Sequence, residues 1–403
     1  MNLITLVSVI LLAAGLSDWL TERVPRLQRD IYYVVFFVVF ILFTSKLYYG
    51  PDIKNYVPFY AALENWRILL SGNVDMPYEW GFCMFCSVLK GWGVSFWGMT
   101  ALISVIYFYA IWLLLSELES KRSFALMCIV ILDATLITVA LRQCLSVAFF
   151  ILMIVAWKHK RYVPSIVCML LACMMHKSGL LAVMFPIGFI LVKNVNWSGY
   201  TYWQLLMVLL TFVLLIPVAR LTAPILAHIP LPEEFASSAA HHLQLGRQIQ
   251  TVFALYMVVL VCLAHYTHNK LTKMEEYGVV VIAGMCIVVA LYQYFYLLNR
   301  IRSFFVPFVV VYVLRLIESK RGNKEISHAE LIKQLAGVFV YLYMIFLTVH
   351  FYVGAKHISV PLYASSTIFE LREANESQIR NRQMKIADTY WRVDFMKKEN
   401  NRL

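Results

Sequence analysis

The 403-residue chain is 61% hydrophobic and only 14% charged, and its mean hydropathy is +0.70. Soluble globular domains are roughly 45–50% apolar and 25% charged, so the composition excludes a soluble enzyme, a disordered tail and a signal peptide on a water-soluble domain. The chain carries 35 lysines and arginines against 23 aspartates and glutamates, a net charge of +12. In a membrane protein this excess is typical of cytoplasmic loops, and no nucleic-acid partner is expected.

Long apolar runs separated by short charged stretches recur along the first 353 residues. Because about 20 apolar residues span a bilayer as a helix, the runs are interpreted as membrane helices. They are residues 2–16, 31–49, 99–116, 124–141, 144–157, 162–175, 179–192, 203–219, 251–266, 277–297, 303–317 and 334–353. The pattern predicts an all-α, polytopic integral membrane protein with about 12 transmembrane helices. Residues 1–353 are predicted to form a single transmembrane domain and residues 354–403 a polar C-terminal tail.

Three stretches are too long for one span and have a polar interruption near their middle: 124–157, 162–192 and 277–317. The interruptions are Arg142-Gln143, His176-Lys177-Ser178 and Asn299-Arg300-Ile301-Arg302. Basic residues bound each stretch at both ends, and basic loops stay in the cytoplasm. Each stretch is therefore predicted to be a helical hairpin whose polar tip lies at the outer face of the membrane. This topology also places the loops 50–98 and 220–250 outside, whereas the tail suits either side.

The loop 50–98 is too long and too aromatic to be a plain connector, and it is expected to carry amphipathic helices. Asp52, Tyr56 and Tyr60 are spaced by four residues, so on a helix they share one face. Aromatic rings stack on pyranose faces while carboxylates bond the hydroxyls, which makes this face and the later Glu79 candidate sugar contacts. The alternative is an interfacial belt of tyrosine and tryptophan, with Asp52 capping a helix.

Arg142 is an ionisable residue between two apolar runs, a costly position unless it faces a cavity or a partner. Arg300 and Arg302 repeat this signature. A guanidinium donates bidentate hydrogen bonds to phosphate and never loses its charge, so these arginines suggest a polyanionic ligand such as a diphosphate. On a continuous helix Arg300 and Arg302 would point about 160° apart, and we expect Arg300 to face the ligand. The alternative is that the arginines snorkel to the lipid headgroups.

His176 lies at a predicted outer tip, where an imidazole could transfer a proton, donate to a phosphate oxygen or simply cap a helix. The eight cysteines lie mostly inside apolar runs and form no metal-ligand or disulfide pattern. The usual nucleotide-binding and hydrolase motifs do not occur. The sequence therefore predicts neither a metal nor a cofactor.

Five short elements follow one another in a fixed order between roughly residues 30 and 310. They are Asp52-x-x-Asn55-Tyr56-x-x-Phe59-Tyr60, Glu79-x-Gly81-Phe82, Arg142-Gln143 opening a helix, His176-Lys177-Ser178-Gly179-Leu180, and Arg300 in an outer turn. In order, spacing and outward placement they resemble the EpsG family of bacterial exopolysaccharide proteins. That family is similar to the Wzy-type polymerases of O-antigen and capsule repeats.

The resemblance implies a membrane glycosyltransferase at the outer face of the bacterial inner membrane. Such an enzyme moves a growing glycan from its undecaprenyl diphosphate carrier onto a newly flipped lipid-linked repeat unit. Its partners would be this lipid-linked oligosaccharide, the membrane lipids, and the flippase and a chain-length regulator of the same pathway. The diphosphate bond supplies the energy, so the resemblance implies no nucleotide and no cofactor.

Within that reaction Asp52, Glu79 or His176 would be the catalytic base that activates the acceptor hydroxyl. Arginines would stabilise the departing diphosphate without a metal. The expected substrate-binding residues are Tyr56, Tyr60, Arg142, Gln143, Lys177, Arg300 and Arg302. Two alternatives stay open. A flippase or exporter of lipid-linked glycans would use the same arginines without chemistry, and an O-acyltransferase of surface glycans would also need a membrane histidine.

Overall fold

The structure, a computed structural model, describes residues 3–47, 52–71, 76–193, 298–318, 328–349 and 366–367, and the single residue 381. Some predicted elements lie outside the described residues: the spans 203–219, 251–266 and 277–297 and the loop 220–250. The chain divides into two compact units, one formed by residues 1–182 and 334–403 and the other by residues 183–333.

Helices dominate the described residues. In chain order the elements are α1 (Leu3–Leu20), α2 (Pro25–Thr44), β1 (Lys46–Leu47), α3 (Ile53–Ala62), α4 (Trp66–Leu70), α5 (Trp80–Gly91), α6 (Phe96–Leu115), α7 (Arg122–Leu132), α8 (Ala134–Thr138), α9 (Leu141–Lys158), α10 (Tyr162–Met175), a 3₁₀ turn (Lys177–Leu180), α11 (Leu181–Lys193), α12 (Leu298–Glu318), α13 (His328–Leu347) and β2 (Ser366–Thr367).

Three of the described helices, α2, α6 and α9, are long and apolar enough to cross a membrane. Shorter apolar segments lie in or overlap α1, α7, α10, α11, α12 and α13. The prediction of a helical, membrane-embedded chain is confirmed. The number of twelve spans stays a prediction, because several of the runs lie outside the described residues.

Two helix boundaries differ from the apolar runs. α2 begins at Pro25, well before residue 31. A proline suits the first turn of a helix, because backbone N–H groups there have no partner within the helix and nothing is lost when one is missing. This turn is also bonded to α1, since Nε2 of Gln28 donates to the backbone oxygen of Asp18 at 2.9 Å. The run 124–141 is broken at the buried Asp133, whose backbone leaves the helical region between α7 and α8.

α6 is the central helix of the first unit, since it packs against α2, α7 and α9. Rings interlock along its contact with α2, where Phe43 stacks on Phe108 with centroids 5.6 Å apart. α9 pairs with α10 through a small polar contact, in which the Ser146 hydroxyl donates to the Ala172 carbonyl at 2.7 Å. Aromatic packing and close contacts at small residues are typical of helices that associate within a bilayer.

The predicted helices of the loop 50–98 are confirmed: they are α3, α4 and α5, and we call the described residues 52–71 and 76–91 the lid. The end of α3 is bonded to α5 by Lys90, whose ammonium donates to the carbonyls of Ala61 and Leu63 at 2.7 Å each. Ser87 donates in addition to the carbonyl of Glu64. These bonds satisfy carbonyls at and just after the end of α3, so α5 is tied to α3 within the lid itself.

The two ends of the first unit are chemically distinct. At one end, which we call the lid end, lie the C-terminus of α2, the lid and the N-terminus of α9. At the opposite end Oε2 of Glu117 accepts a hydrogen bond from Lys158, and its Oε1 lies 3.0 Å from Nε2 of His159. β1 pairs antiparallel with β2, Lys46 opposite Thr367. The C-terminal tail, whose side the sequence left open, therefore reaches the lid end at residues 366–367.

Candidate functional site

The site begins with the way α5 approaches α10. Glu79 is the N-cap residue of α5, and Gly81 lies in the first turn of that helix. A Cβ on Gly81 would lie 2.5 Å from the Cβ of Met174 and 2.7 Å from its backbone oxygen. Only glycine allows this approach, which carries Glu79 to the turn that follows α10.

The turn after α10 holds the second polar tip. His176 ends α10 with an extended backbone, and its Nδ1 accepts from the amide of Ser178 at 3.2 Å and contacts the Ser178 hydroxyl at 2.6 Å. Gly179 packs so closely that a Cβ there would lie 2.0 Å from the Ala172 carbonyl oxygen. The amide of Lys177 donates to Oε1 of Glu79 at 3.1 Å, so this turn is bonded directly to the lid.

Arg142 lies in the first turn of α9, so Arg142-Gln143 opens a helix as the sequence predicted. Its Nη1 donates to Oε2 of Glu79, and its Nε donates to the Tyr56 hydroxyl at 3.1 Å. The guanidinium also lies over the ring of Tyr78, 4.2 Å from the centroid. The Arg142 side chain is 21% exposed and that of Glu79 11%. The lid thus fixes the guanidinium from three directions.

Glu79 joins the two polar tips, since one carboxylate oxygen accepts from Arg142 and the other from Lys177. Burial alone would raise the pKa of Glu79, but backbone hydrogen bonds and the positive charge of Arg142 outweigh it and hold the pKa below its ordinary value. Glu79 is therefore ionised at neutral pH. Burial raises the pKa of Tyr56 to about 12, so its phenol stays protonated.

The cluster contains more hydrogen-bond donors than acceptors. A guanidinium has five N–H groups, and among the described residues those on Nη2 of Arg142 have no acceptor. The Tyr56 hydroxyl accepts from Arg142 but donates to no described residue. The Lys177 side chain is exposed beside them. Charged and neutral donors at the N-terminus of the 18-residue α9 suit an anion.

Asp52 lies within electrostatic range of this cluster: burial raises the pKa values of Tyr56 and Tyr78, and the negative charge of Asp52 adds to both shifts. It occupies the N-cap position of α3 without a side-chain capping bond, so capping does not explain it. Tyr60 faces elsewhere, because its hydroxyl donates to the Val94 carbonyl at 2.7 Å and its ring packs edge-on against Phe96. Gln143 follows Arg142 in α9 and is buried.

Arg300 and Arg302 lie in the first two turns of α12, which begins at Leu298. The other arm of the predicted hairpin, residues 277–297, lies outside the described residues, so the hairpin tip stays a prediction. α12 belongs to the second unit. The side chain of Arg300 lies outside the described residues, and Arg302 is partly buried. Their place in the binding site stays a prediction.

Sequence reasoning missed Tyr78, which stacks on Arg142, and the buried Lys46 at the end of α2. The position of Tyr78 directly before Glu79 could have indicated a contact with the partner of that carboxylate. The position of Lys46 as a lone lysine near the end of an apolar run could have indicated a buried cation. Among the described residues, no group of three or more His, Cys, Asp and Glu side chains comes together that could hold a metal ion.

The two glycines of α5 provide a direct test of this geometry. We expect Gly81→Ala to lower the melting temperature in detergent by several degrees, because the new methyl group must displace the backbone of α10. Gly91→Ala, in the same helix, should leave the melting temperature unchanged or raise it slightly, since its nearest atom would lie 3.7 Å away on Trp66. Equal stability of the two variants would contradict the close approach of α5 and α10.

Comparison with known proteins agrees with this assembly of motifs. The family model described as the EpsG family matches residues 31–365, most of the chain. No curated protein and no solved structure matched the chain when it was compared with them. The matched range contains the described motif residues of the lid, the Arg142 turn and the His176 turn. The chain therefore belongs to the EpsG family, a polymerase-like family of the Wzy type.

Proposed function

We propose that this protein is a bacterial polysaccharide polymerase, a membrane glycosyltransferase. It transfers a growing glycan from undecaprenyl diphosphate to an incoming lipid-linked repeat unit. The observation that carries the proposal is the state of Arg142, whose Nε and Nη1 are held by Tyr56 and Glu79 while Nη2 has no acceptor among the described residues. A guanidinium fixed on one side is preorganised to bind an anion on the other.

The leaving group explains why such a cation is needed. In the proposed reaction the acceptor hydroxyl oxygen bonds to the anomeric carbon, the bond from that carbon to the phosphate oxygen breaks, and the diphosphate leaves with the electron pair. Negative charge therefore develops on the diphosphate in the transition state. Arg142 and the Tyr56 hydroxyl would donate to it, and the helix dipole of α9 has the favourable sign.

The proton of the acceptor hydroxyl must pass to a base, and the three candidates differ in their surroundings. Both oxygens of Glu79 accept hydrogen bonds and its pKa is lowered, which makes it a weak base and a good anchor for Arg142. Nδ1 of His176 accepts from the Ser178 amide, so in the neutral ring Nε2 carries the proton and is suited to donate. We therefore assign the base to Asp52, a donor role to His176 and a positioning role to Glu79.

The proposed orientation places the lid end at the periplasmic face of the inner membrane. Its support is the distribution of charge at the opposite end, where a set of basic residues lies at the start of α7, at the C-terminus of α9 and in the turn between α9 and α10. They are Lys121, Arg122, Lys158, Lys160 and Arg161. Basic loops stay in the cytoplasm, so a glycan built at the lid end would grow outside the cell.

We expect Arg142→Ala to slow glycan-ladder formation by about a hundredfold, the usual effect of removing one preorganised donor. Arg142→Lys keeps the charge but loses the planar fork, so it should remain impaired and yet exceed the alanine variant. The assay uses purified protein in lipid nanodiscs with its lipid-linked repeat unit. Arg67→Ala is the matched control, because this exposed lid arginine stacks on Trp66 and bonds no residue of the site.

The same assay separates the proposed function from its alternatives. A flippase or exporter would bind the lipid diphosphate and yield no ladder, and an O-acyltransferase would leave the glycan length unchanged. Absence of a ladder with the wild-type protein would overturn the polymerase proposal. A wild-type rate in Arg142→Ala would show instead that this arginine only anchors the lid.

Asp52→Asn tests the choice of base. We expect a loss of about a hundredfold or more in kcat while binding of the lipid diphosphate is retained, because the amide cannot accept the proton but nearly preserves the shape. Glu79→Gln should instead weaken lipid binding, since it releases Arg142. Asp30→Asn serves as control, because this aspartate is exposed near the start of α2. Retained kcat in Asp52→Asn would move the base to another residue.

A further inference from the structure

Lys46 is a buried cation that the reaction described above does not use. It follows α2 in β1, directly opposite Thr367 of β2, and it is only 4% exposed. Its ammonium donates to the carbonyl of Ile137 in α8 and lies 5.9 Å from the centroid of the Phe43 ring. No carboxylate of a described residue forms an ion pair with it.

This environment is unfavourable for a charge that serves only packing. An ammonium has three N–H donors, and only one of them is used among the described residues. Burying a charge without an ionic partner is unfavourable, and a well-packed apolar residue of similar volume is often more stable. The position therefore suggests a role that outweighs its cost to folding.

A small cavity lies between Lys46 and residues that adjoin Arg142. The cavity has a volume of about 20 Å³, and Lys46, Tyr56, Thr138 and Leu141 are among its lining residues. Tyr56 is the residue whose hydroxyl accepts from Arg142, and Leu141 directly precedes Arg142 in α9. The space is sufficient for one oxygen atom, and Tyr56 lies between it and Arg142 in the chain of contacts, because Tyr56 lines the cavity and its hydroxyl bonds the guanidinium.

We propose that Lys46 is the second cation of the anion site and that it binds one oxygen of the second phosphate of the lipid diphosphate. The inference rests on the proposed function and extends it to substrate selection. Arg142 and the Tyr56 hydroxyl bind one phosphate, and Lys46 binds an oxygen of the other phosphate in the cavity that Tyr56 lines. A lipid monophosphate satisfies only the first of these cations, so Lys46 selects the diphosphate.

The test measures binding of two probes, a polyprenyl monophosphate and a polyprenyl diphosphate, to the full-length protein in nanodiscs. Wild type should prefer the diphosphate by about tenfold or more, the effect of one charged hydrogen bond. Lys46→Met should reduce that preference to near unity with unchanged affinity for the monophosphate. Arg142→Ala should weaken both probes. Lys160→Met, an exposed lysine at the opposite end, is the control.

Stability separates this role from a structural one. Lys46→Met removes an unpaired buried charge at nearly constant volume, so its melting temperature should equal or exceed that of wild type. Lys46→Gln, which can still donate to Ile137, should lose the diphosphate preference in the same way. Failure of both variants to fold would assign Lys46 to packing and overturn the inference.

Inorganic diphosphate distinguishes recognition of the phosphates from recognition of the lipid. It should compete with the polyprenyl diphosphate on wild type, and a roughly tenfold higher concentration should be needed to displace a polyprenyl monophosphate from Lys46→Met than from wild type. If wild type binds neither lipid, the proposed function itself fails. If wild type prefers the diphosphate and Lys46→Met or Lys46→Gln retains the preference, only the assignment of Lys46 is wrong. A wild type that binds both lipids equally also overturns it.

Discussion

The ion pair between Arg142 and Glu79 joins the parts of the site that are distant in sequence. Arg142 belongs to a membrane helix, Glu79 to the lid, and the second oxygen of Glu79 holds the turn at Lys177. Without Glu79 the guanidinium would keep, among the described residues, the Tyr56 hydroxyl and the ring of Tyr78, and this largely buried cation would lose its counter-charge. This one carboxylate therefore bonds the lid both to the start of α9 and to the turn that follows α10.

Two close approaches make the ion pair geometrically possible. Gly81 lets the first turn of α5 pack on Met174, and Gly179 lets the 3₁₀ turn pack on Ala172. Both glycines stand inside motifs that also contain a charged or titratable residue, Glu79 in one and His176 in the other. The spacing of these motifs therefore has a physical meaning, since the glycine sets the backbone distance and its neighbour delivers the side chain.

Much of this could be predicted from the sequence, because hydropathy fixes which residues enter a bilayer and a lone arginine between apolar runs is costly without a partner. The opening of α9 at Arg142 and the break at His176 followed from these rules. The partners did not, because Glu79 and Arg142 are 63 residues apart in sequence and no periodicity encodes such a contact.

Tyr60 and Lys46 show the same limit of sequence patterns. Tyr60 shares a helical spacing with Tyr56, but its hydroxyl donates to the carbonyl of Val94 and not to the cluster around Arg142. The burial of Lys46 was not predicted, because the side chain of a single lysine near a helix end normally extends to the lipid headgroups.

The central claim is that Glu79 acts through Arg142, and a double-mutant cycle on the rate of ladder formation tests it most directly. The variants are Glu79→Gln, Arg142→Lys and the combination of the two, each at matched expression and melting temperature. If Glu79 serves to hold the guanidinium fork, the double variant will be scarcely slower than Arg142→Lys alone, and the coupling energy will be about 1 kcal/mol or more. Fully additive losses would contradict the account, because they would mean that the two residues contribute independently.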